Sequence, residues 1–194
     1  MLAFHRQNSP VDLSSMVDVI QADFTQLHLA ARFGLVMMPC NTYSTLPEEA
    51  RFKALLHIKR HMQPNGLFVA SLPNPTTLMN LPANGAAELE EIFTHPISGA
   101  PVQVSSAWKR TSRQCTIYWH YDHLLPEGIV RRSTMQITHQ LETIKVLRDE
   151  FNRAGFTITH QLGDFNQSPY QADSPYWIIL ATHHQAKKMV SRVV

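Results

Sequence analysis

No glycine in this chain stands within two residues of another. Gly34, Gly66, Gly85, Gly99, Gly128, Gly155 and Gly163 are each isolated, so no G-x-G occurs. These 194 residues therefore contain no glycine-rich loop of the kind through which a backbone approaches a cofactor closely because no Cβ intervenes. Cysteine is nearly as scarce. Cys40 and Cys115 alone make no disulfide framework, which points to a reducing, cytoplasmic setting. There is no apolar run of the roughly eighteen residues that a membrane-spanning helix needs. Met1–Gln7 lacks the apolar core and small-residue cleavage site of a signal peptide. A formal charge of +2 is too small to argue for nucleic acid. Internal repeats and low-complexity segments are also missing.

What remains is a chain of 194 residues, 44% hydrophobic, enough for one sizeable core and one domain. Its first part reads strand, strand, helix, strand. Val17–Ala22 leads to Asp23-Phe24, and Phe33–Met38 leads to Pro39-Cys40-Asn41-Thr42. A helix is expected over Thr45–Met62, with Thr45 and Glu48 as a capping box and Leu55, Ile58 and Met62 as the buried stripe. The turn Gln63-Pro64-Asn65-Gly66 then opens a strand at Leu67–Leu72. Phe33–Met38 and Leu67–Leu72 lack polar alternation, as parallel strands covered on both faces do, and the helix between them makes a right-handed crossover. Polar residues at strand carboxyl ends are where an open α/β sheet places a ligand crevice.

Beyond Asn74 the prolines Pro75, Pro82, Pro96 and Pro101 loosen the pattern, with one short helix expected at Ala86–Phe93. Val102–Trp108, Cys115–Leu124 and Ile129–Ile137 read as an antiparallel meander. A helix is expected from Gln140 to Ala154 on a stripe of Leu141, Ile144, Leu147 and Phe151, ending on Gly155 as a left-handed cap. Phe156–Leu162 and Tyr176–Thr182 read as closing strands, and the tail with Lys187, Lys188 and Arg192 as solvated.

The order Ala22-Asp23-Phe24, Phe33-Gly34-Leu35-Val36, Pro39-x-Asn41-Thr42, Leu55-Leu56-x-Ile58 and Gln63-Pro64-Asn65-Gly66-Leu67-Phe68-Val69 resembles class I S-adenosylmethionine (SAM)-dependent methyltransferases. The likeness is greatest to small-molecule members with a β-rich insertion after the fifth strand. Ala154-Gly155-Phe156, Gly163-Asp164-Phe165 and Asp173-Ser174-Pro175 resemble that group's closing hairpin. The resemblance implies an α/β, partial Rossmann-like methyltransferase fold: a mostly parallel sheet, an antiparallel C-terminal hairpin and an inserted antiparallel β meander. It implies one domain over 1–194, with 1–75 and 139–183 as core and 76–138 as insertion or lid. On this pattern Met1-Leu2-Ala3 falls after the family's second strand, so the domain is expected to be truncated at its N-terminus. The first strand, its glycine-rich loop and the acid that would hold the ribose are then absent. Two explanations stay open: a fragment of an ordinary enzyme, or a true remnant. Either way Phe33–Met38 is left with an open apolar edge, which invites self-association.

The resemblance implies SAM as cofactor and a small molecule as methyl acceptor. Asp23 would accept from the adenine amino group and Phe24 would pack on the ring. Pro39, Cys40, Asn41 and Thr42 would line the floor beneath the methionine moiety. His120, Tyr121, His123 and Asp164 are the candidates for a base, if the acceptor must lose a proton; Trp108, Tyr118 and Trp119 are candidates for an acceptor pocket. The competing function is a catalytically inert remnant serving as an interaction or dimerisation domain. No metal site is expected: His57 and His61 are four apart on one helix, but no carboxylate or third histidine is near in sequence, and His120 and His123 point to opposite faces of a strand. Lys109-Arg110 and Arg131-Arg132 could lie together in the meander, yet no stacking aromatics interleave with them, so nucleic-acid binding is not expected.

Overall fold

Phe33–Met38 (β1) and Met62–Pro73 (β2) pair in parallel, Leu35 opposite Leu67 and Met38 opposite Ala70. The computed structural model describes Pro10 and residues 16–183; the tail lysines, Arg192 and Met1–Gln7 lie outside them. Between β1 and β2 run a four-residue helix, Thr42–Thr45 (α1), and the longer Glu48–Arg60 (α2). The single helix expected over Thr45–Met62 is thus divided. The cause is Pro47, whose ring forces the residue before it out of the helical region: Leu46 is extended at φ −87°, ψ 138°. Thr45 caps nothing, because its hydroxyl donates back to the Thr42 carbonyl. Met62 is fully buried, but as the first residue of β2.

After β2 come Pro75–Asn80 (α3) and four antiparallel strands: Asn84–Thr94 (β3), Pro101–Arg110 (β4), Gln114–Leu124 (β5) and Val130–Gln140 (β6). They form a sheet of their own, in sequence order. The expected helix at Ala86–Phe93 is instead β3, joined to β4 with two register shifts. Gly85 permits that pairing, since a Cβ there would lie 2.2 Å from the Trp108 ring. Ile144–Arg153 (α4) follows, with Thr143 as its N-cap, so Leu141 precedes the helix. Its C-terminal end is as expected: Gly155 sits at φ +82°.

Thr157–Leu162 (β7) and Tyr176–Thr182 (β8) close the chain as an antiparallel hairpin. The first sheet has the order β1-β2-β8-β7. It holds one parallel pair and two antiparallel pairs, and the second sheet holds none that is parallel. The fold is α/β with a mixed sheet, not a mostly parallel one. Only β1–β2 is a parallel pair joined by a helical crossover; β4, β5, β6 and β8 each pair antiparallel with the strand before them, while β3 opens the second sheet after α3 and β7 takes the far edge of the first sheet after α4.

One core lies between β2, β8 and the helices: Phe68, Leu72, Leu55, Phe151, Phe156 and Trp177 are all nearly or fully buried. Phe68 and Phe151 stack at 5.9 Å. β1 differs. Leu35 is 51% exposed and Met37 64%, so this strand is not covered on both faces, and Cys40 does not follow a buried one. Val17–Ala22 forms no strand and is largely exposed. A strand needs a partner for its N–H and C=O groups, and among the described residues β2 is the one strand that pairs with β1.

Candidate functional site

At the carboxyl end of β1 the backbone turns through two consecutive left-handed residues, Cys40 at φ 57° and Asn41 at φ 59°. For residues other than glycine this conformation costs roughly 1–2 kcal/mol each, so neighbouring bonds must hold it. The Thr42 N–H and hydroxyl both donate to the Pro39 carbonyl, at 3.3 and 2.8 Å. Ser44 donates to the Asn41 carbonyl at 2.8 Å and lies 2.9 Å from His139 Nδ1 on β6. Tyr43, fully buried, donates to Glu150 at 2.8 Å. Burial and the Glu150 charge push its phenol well above the usual tyrosine range. Arg51 on α2 grips the same carboxylate with Nε and Nη2, at 2.9 and 2.5 Å. The turn is thereby tied to α2, α4 and the second sheet at once.

The opposite wall is the segment preceding β1. His57 Nδ1 meets the Leu27 carbonyl at 3.1 Å, and His61 Nε2 accepts the Leu29 N–H at 2.8 Å. These two histidines therefore fasten a loop to α2, a use that their four-residue spacing does not disclose. Between that loop, β1 and the turn opens a cleft of about 350 Å³, lined by Phe24, Leu27, Val36, Met37, Pro39 and Thr42 among others.

Of the six residues expected at the cofactor, Phe24, Pro39 and Thr42 line this cleft. Cys40 is exposed beside it and Asn41 is half-buried. Asp23 adjoins Phe24, but its carboxylate accepts from the Thr25 N–H and hydroxyl at 2.8 and 2.7 Å. These bonds, the Thr25 hydroxyl first, hold its carboxyl below the ordinary aspartate range. The base candidates are elsewhere. His120 meets the Thr134 hydroxyl at 2.8 Å, on the meander; Tyr121 is half-buried next to it. His123 packs on His95, 5.5 Å between ring centroids, in a separate hollow with Arg131. Asp164 accepts from the backbone of Ser168 and Asn166, and the Ser168 bond is the main cause of its lowered carboxyl pKa. None of the four lines the cleft.

The aromatics Trp108, Tyr118 and Trp119 lie at neighbouring positions on β4 and β5 and do not line the cleft. Trp108 covers Gly85 and donates to the Pro82 carbonyl at 3.2 Å. Lys109 pairs with Thr116 and Arg131 with His123, at opposite ends of the meander. The expected proximity of the two basic pairs therefore does not occur, and Arg132 is held by Asp122 at 2.6 Å. Among the described residues no three His, Cys, Asp or Glu side chains converge as a metal site would require.

The cleft walls at Phe24, Val36, Met37 and Pro39 are apolar, and Asp23 does not line them. No G-x-G occurs among the 194 residues. Reasoning from sequence alone missed Ser44, His139, Arg51 and Glu150. Their only signal was polar character at positions that helix and strand periodicity would bury.

This architecture is the class I SAM-dependent methyltransferase fold. A SAM-dependent methyltransferase from Clostridium acetobutylicum superimposes with a TM-score of 0.71 at 9% identity, covering 84% of this chain and 63% of its own. CcbJ methyltransferase from Streptomyces caelestis gives 0.68 at 19%, covering 86% and 63%. A SAM-bound amino pentose methyltransferase from Micromonospora echinaspora gives 0.62 at 15%, covering 84% and 63%. The chain thus spans less than two thirds of the length of these structures. No family model and no curated protein sequence matches it.

Proposed function

We propose that this chain is a SAM-dependent methyltransferase domain acting on a small molecule, with cofactor affinity weakened because no glycine-rich loop is present. The observation that carries this reading is the meeting of Phe24 with the left-handed Pro39–Thr42 turn around one cleft. That cleft runs along β1 from Phe33 to Met38 and reaches its carboxyl end at Pro39 and Thr42, the end at which open α/β sheets bind ligands. Phe24 and Pro39 would hold the adenosyl portion by apolar contact, and Asp23 would turn outward to its amino group. Cys40, Asn41 and Thr42 would form the floor beside the amino-acid portion. SAM supplies a methyl group already activated by its sulfonium. The residues are then required chiefly to align the acceptor and exclude water, and no base need come from the meander. Residues 76–138 would act as insertion and lid above a core of residues 1–75 and 139–183. The two free cysteines fit a reducing cytoplasm.

A second reading is favoured by β1. Its sequence, Phe-Gly-Leu-Val-Met-Met, carries no charge and no described strand pairs with its outer edge, which is how strands associate between chains. In that reading the domain is inert and pairs with a second copy. Calorimetric titration with S-adenosylhomocysteine, with solution mass measured alongside, separates the two. Saturable binding supports the enzyme reading; a folded dimer that takes up no ligand supports the second.

A further inference from the structure

The bond between Ser44 and His139 joins residues 95 apart in sequence. Both are buried, at 6% and 4% exposure. A serine hydroxyl has a single hydrogen. In Ser44 it goes to the Asn41 carbonyl, which can only accept. His139 must therefore supply the hydrogen at Nδ1, and Ser44 accepts it at 2.9 Å. The ring belongs to β6, where His139 lies opposite the fully buried Cys115. Burial holds its pKa below the ordinary histidine value, so the ring is neutral at pH 7, with its hydrogen on Nδ1.

The direction of these bonds gives them a purpose. α1 has no side-chain cap, and its N-cap residue is the left-handed Asn41. The Asn41 carbonyl is held by Ser44, and Ser44 is held by a histidine from a different sheet. Thr42, the next residue, lines the cleft. We propose that His139 is a positioning residue for the ligand cleft: it fixes the left-handed Cys40–Asn41 turn through Ser44, so that affinity at the end of β1 depends on the meander. The inference rests on the cofactor reading for the identity of the ligand, but not for the hold on the turn.

The test uses the full 194-residue chain with His139→Ala, His139→Asn and, as a packing control, Leu141→Ala. An asparagine amide nitrogen replaces Nδ1–H. S-adenosylhomocysteine is the probe. The alanine variant is expected to bind about tenfold more weakly, as for loss of a buried positioning bond, and the asparagine variant within about threefold of wild type. The control, destabilised to a similar degree, should keep its affinity. In parallel, backbone carbon shifts and φ-dependent couplings of Cys40 and Asn41 report the turn without ligand. They should lose their left-handed values in His139→Ala and keep them in His139→Asn. Failure of wild type to bind removes the cofactor reading but leaves this second readout. Left-handed values retained in His139→Ala, or an equal affinity loss in the Leu141 control, overturns the proposal.

Discussion

Arg51 and Glu150, each 1% exposed, face one another through two hydrogen bonds in the interior of the domain. Tyr43 adds a third bond to the same carboxylate, and Arg51 Nη1 also donates to the Leu46 carbonyl at 3.0 Å. A buried ion pair is not in itself a source of stability, but removing one member strands the other. We expect Arg51→Met to lower unfolding free energy by about 3–5 kcal/mol, read by urea denaturation. Replacing all three as Arg51→Met, Glu150→Leu and Tyr43→Phe should recover most of that loss.

His139 leads to a pH effect whose sign follows from burial. Its folded pKa lies below the unfolded value of about 6.5, so the unfolded chain binds more protons through the interval between the two. Stability from this residue is fully present above the unfolded pKa and is lost as pH falls through the folded one. The unfolding midpoint of wild type should therefore drop more steeply between about pH 7 and 5 than that of His139→Asn. Parallel curves would contradict this.

Gly155 ends α4 at φ +82°, and a Cβ there would stand 2.2 Å from Lys59 Nζ. That ammonium donates to the Ala154 carbonyl at 3.0 Å. Gly155→Ala is expected to destabilise by roughly 1–2 kcal/mol, from the left-handed backbone alone, and more if Lys59 cannot move aside. Thermal unfolding measures it.

The β1 edge makes its own prediction. Phe33, Leu35 and Met37 are 41%, 51% and 64% exposed, and a charge on such a strand blocks edge pairing. Wild type should increase in mass with concentration in light scattering. Leu35→Lys and Met37→Lys should lower that mass toward the monomer. A wild type that stays monomeric at high concentration would exclude the edge as an association surface.

These elements differ in how far the sequence disclosed them. β8 matches its expected limits, and β1 is found as expected, because continuous apolar runs are a local signal. The stripe of Leu147 and Phe151 is likewise carried by local spacing. The Thr45–Met62 helix failed in its first turn because the proline effect on Leu46 competes with the capping pattern, and wins. Val17–Ala22 failed for a non-local reason: an apolar run becomes a strand only beside another strand. Phe24, Pro39 and Thr42, singled out by the resemblance, come together along one cleft. Arg51 and Glu150 were not legible: helix spacing puts each on a buried stripe, but they are 99 residues apart and no local pattern pairs the two charges.

SAM is proposed to bind in the cleft beside Phe24 and the Pro39–Thr42 turn. Ultraviolet crosslinking of methyl-labelled SAM to the chain, followed by peptide mapping, locates it. Label is expected on peptides containing Phe24 or Pro39–Thr42, suppressed by excess S-adenosylhomocysteine. Label confined to other peptides, or label that S-adenosylhomocysteine does not displace, would contradict it.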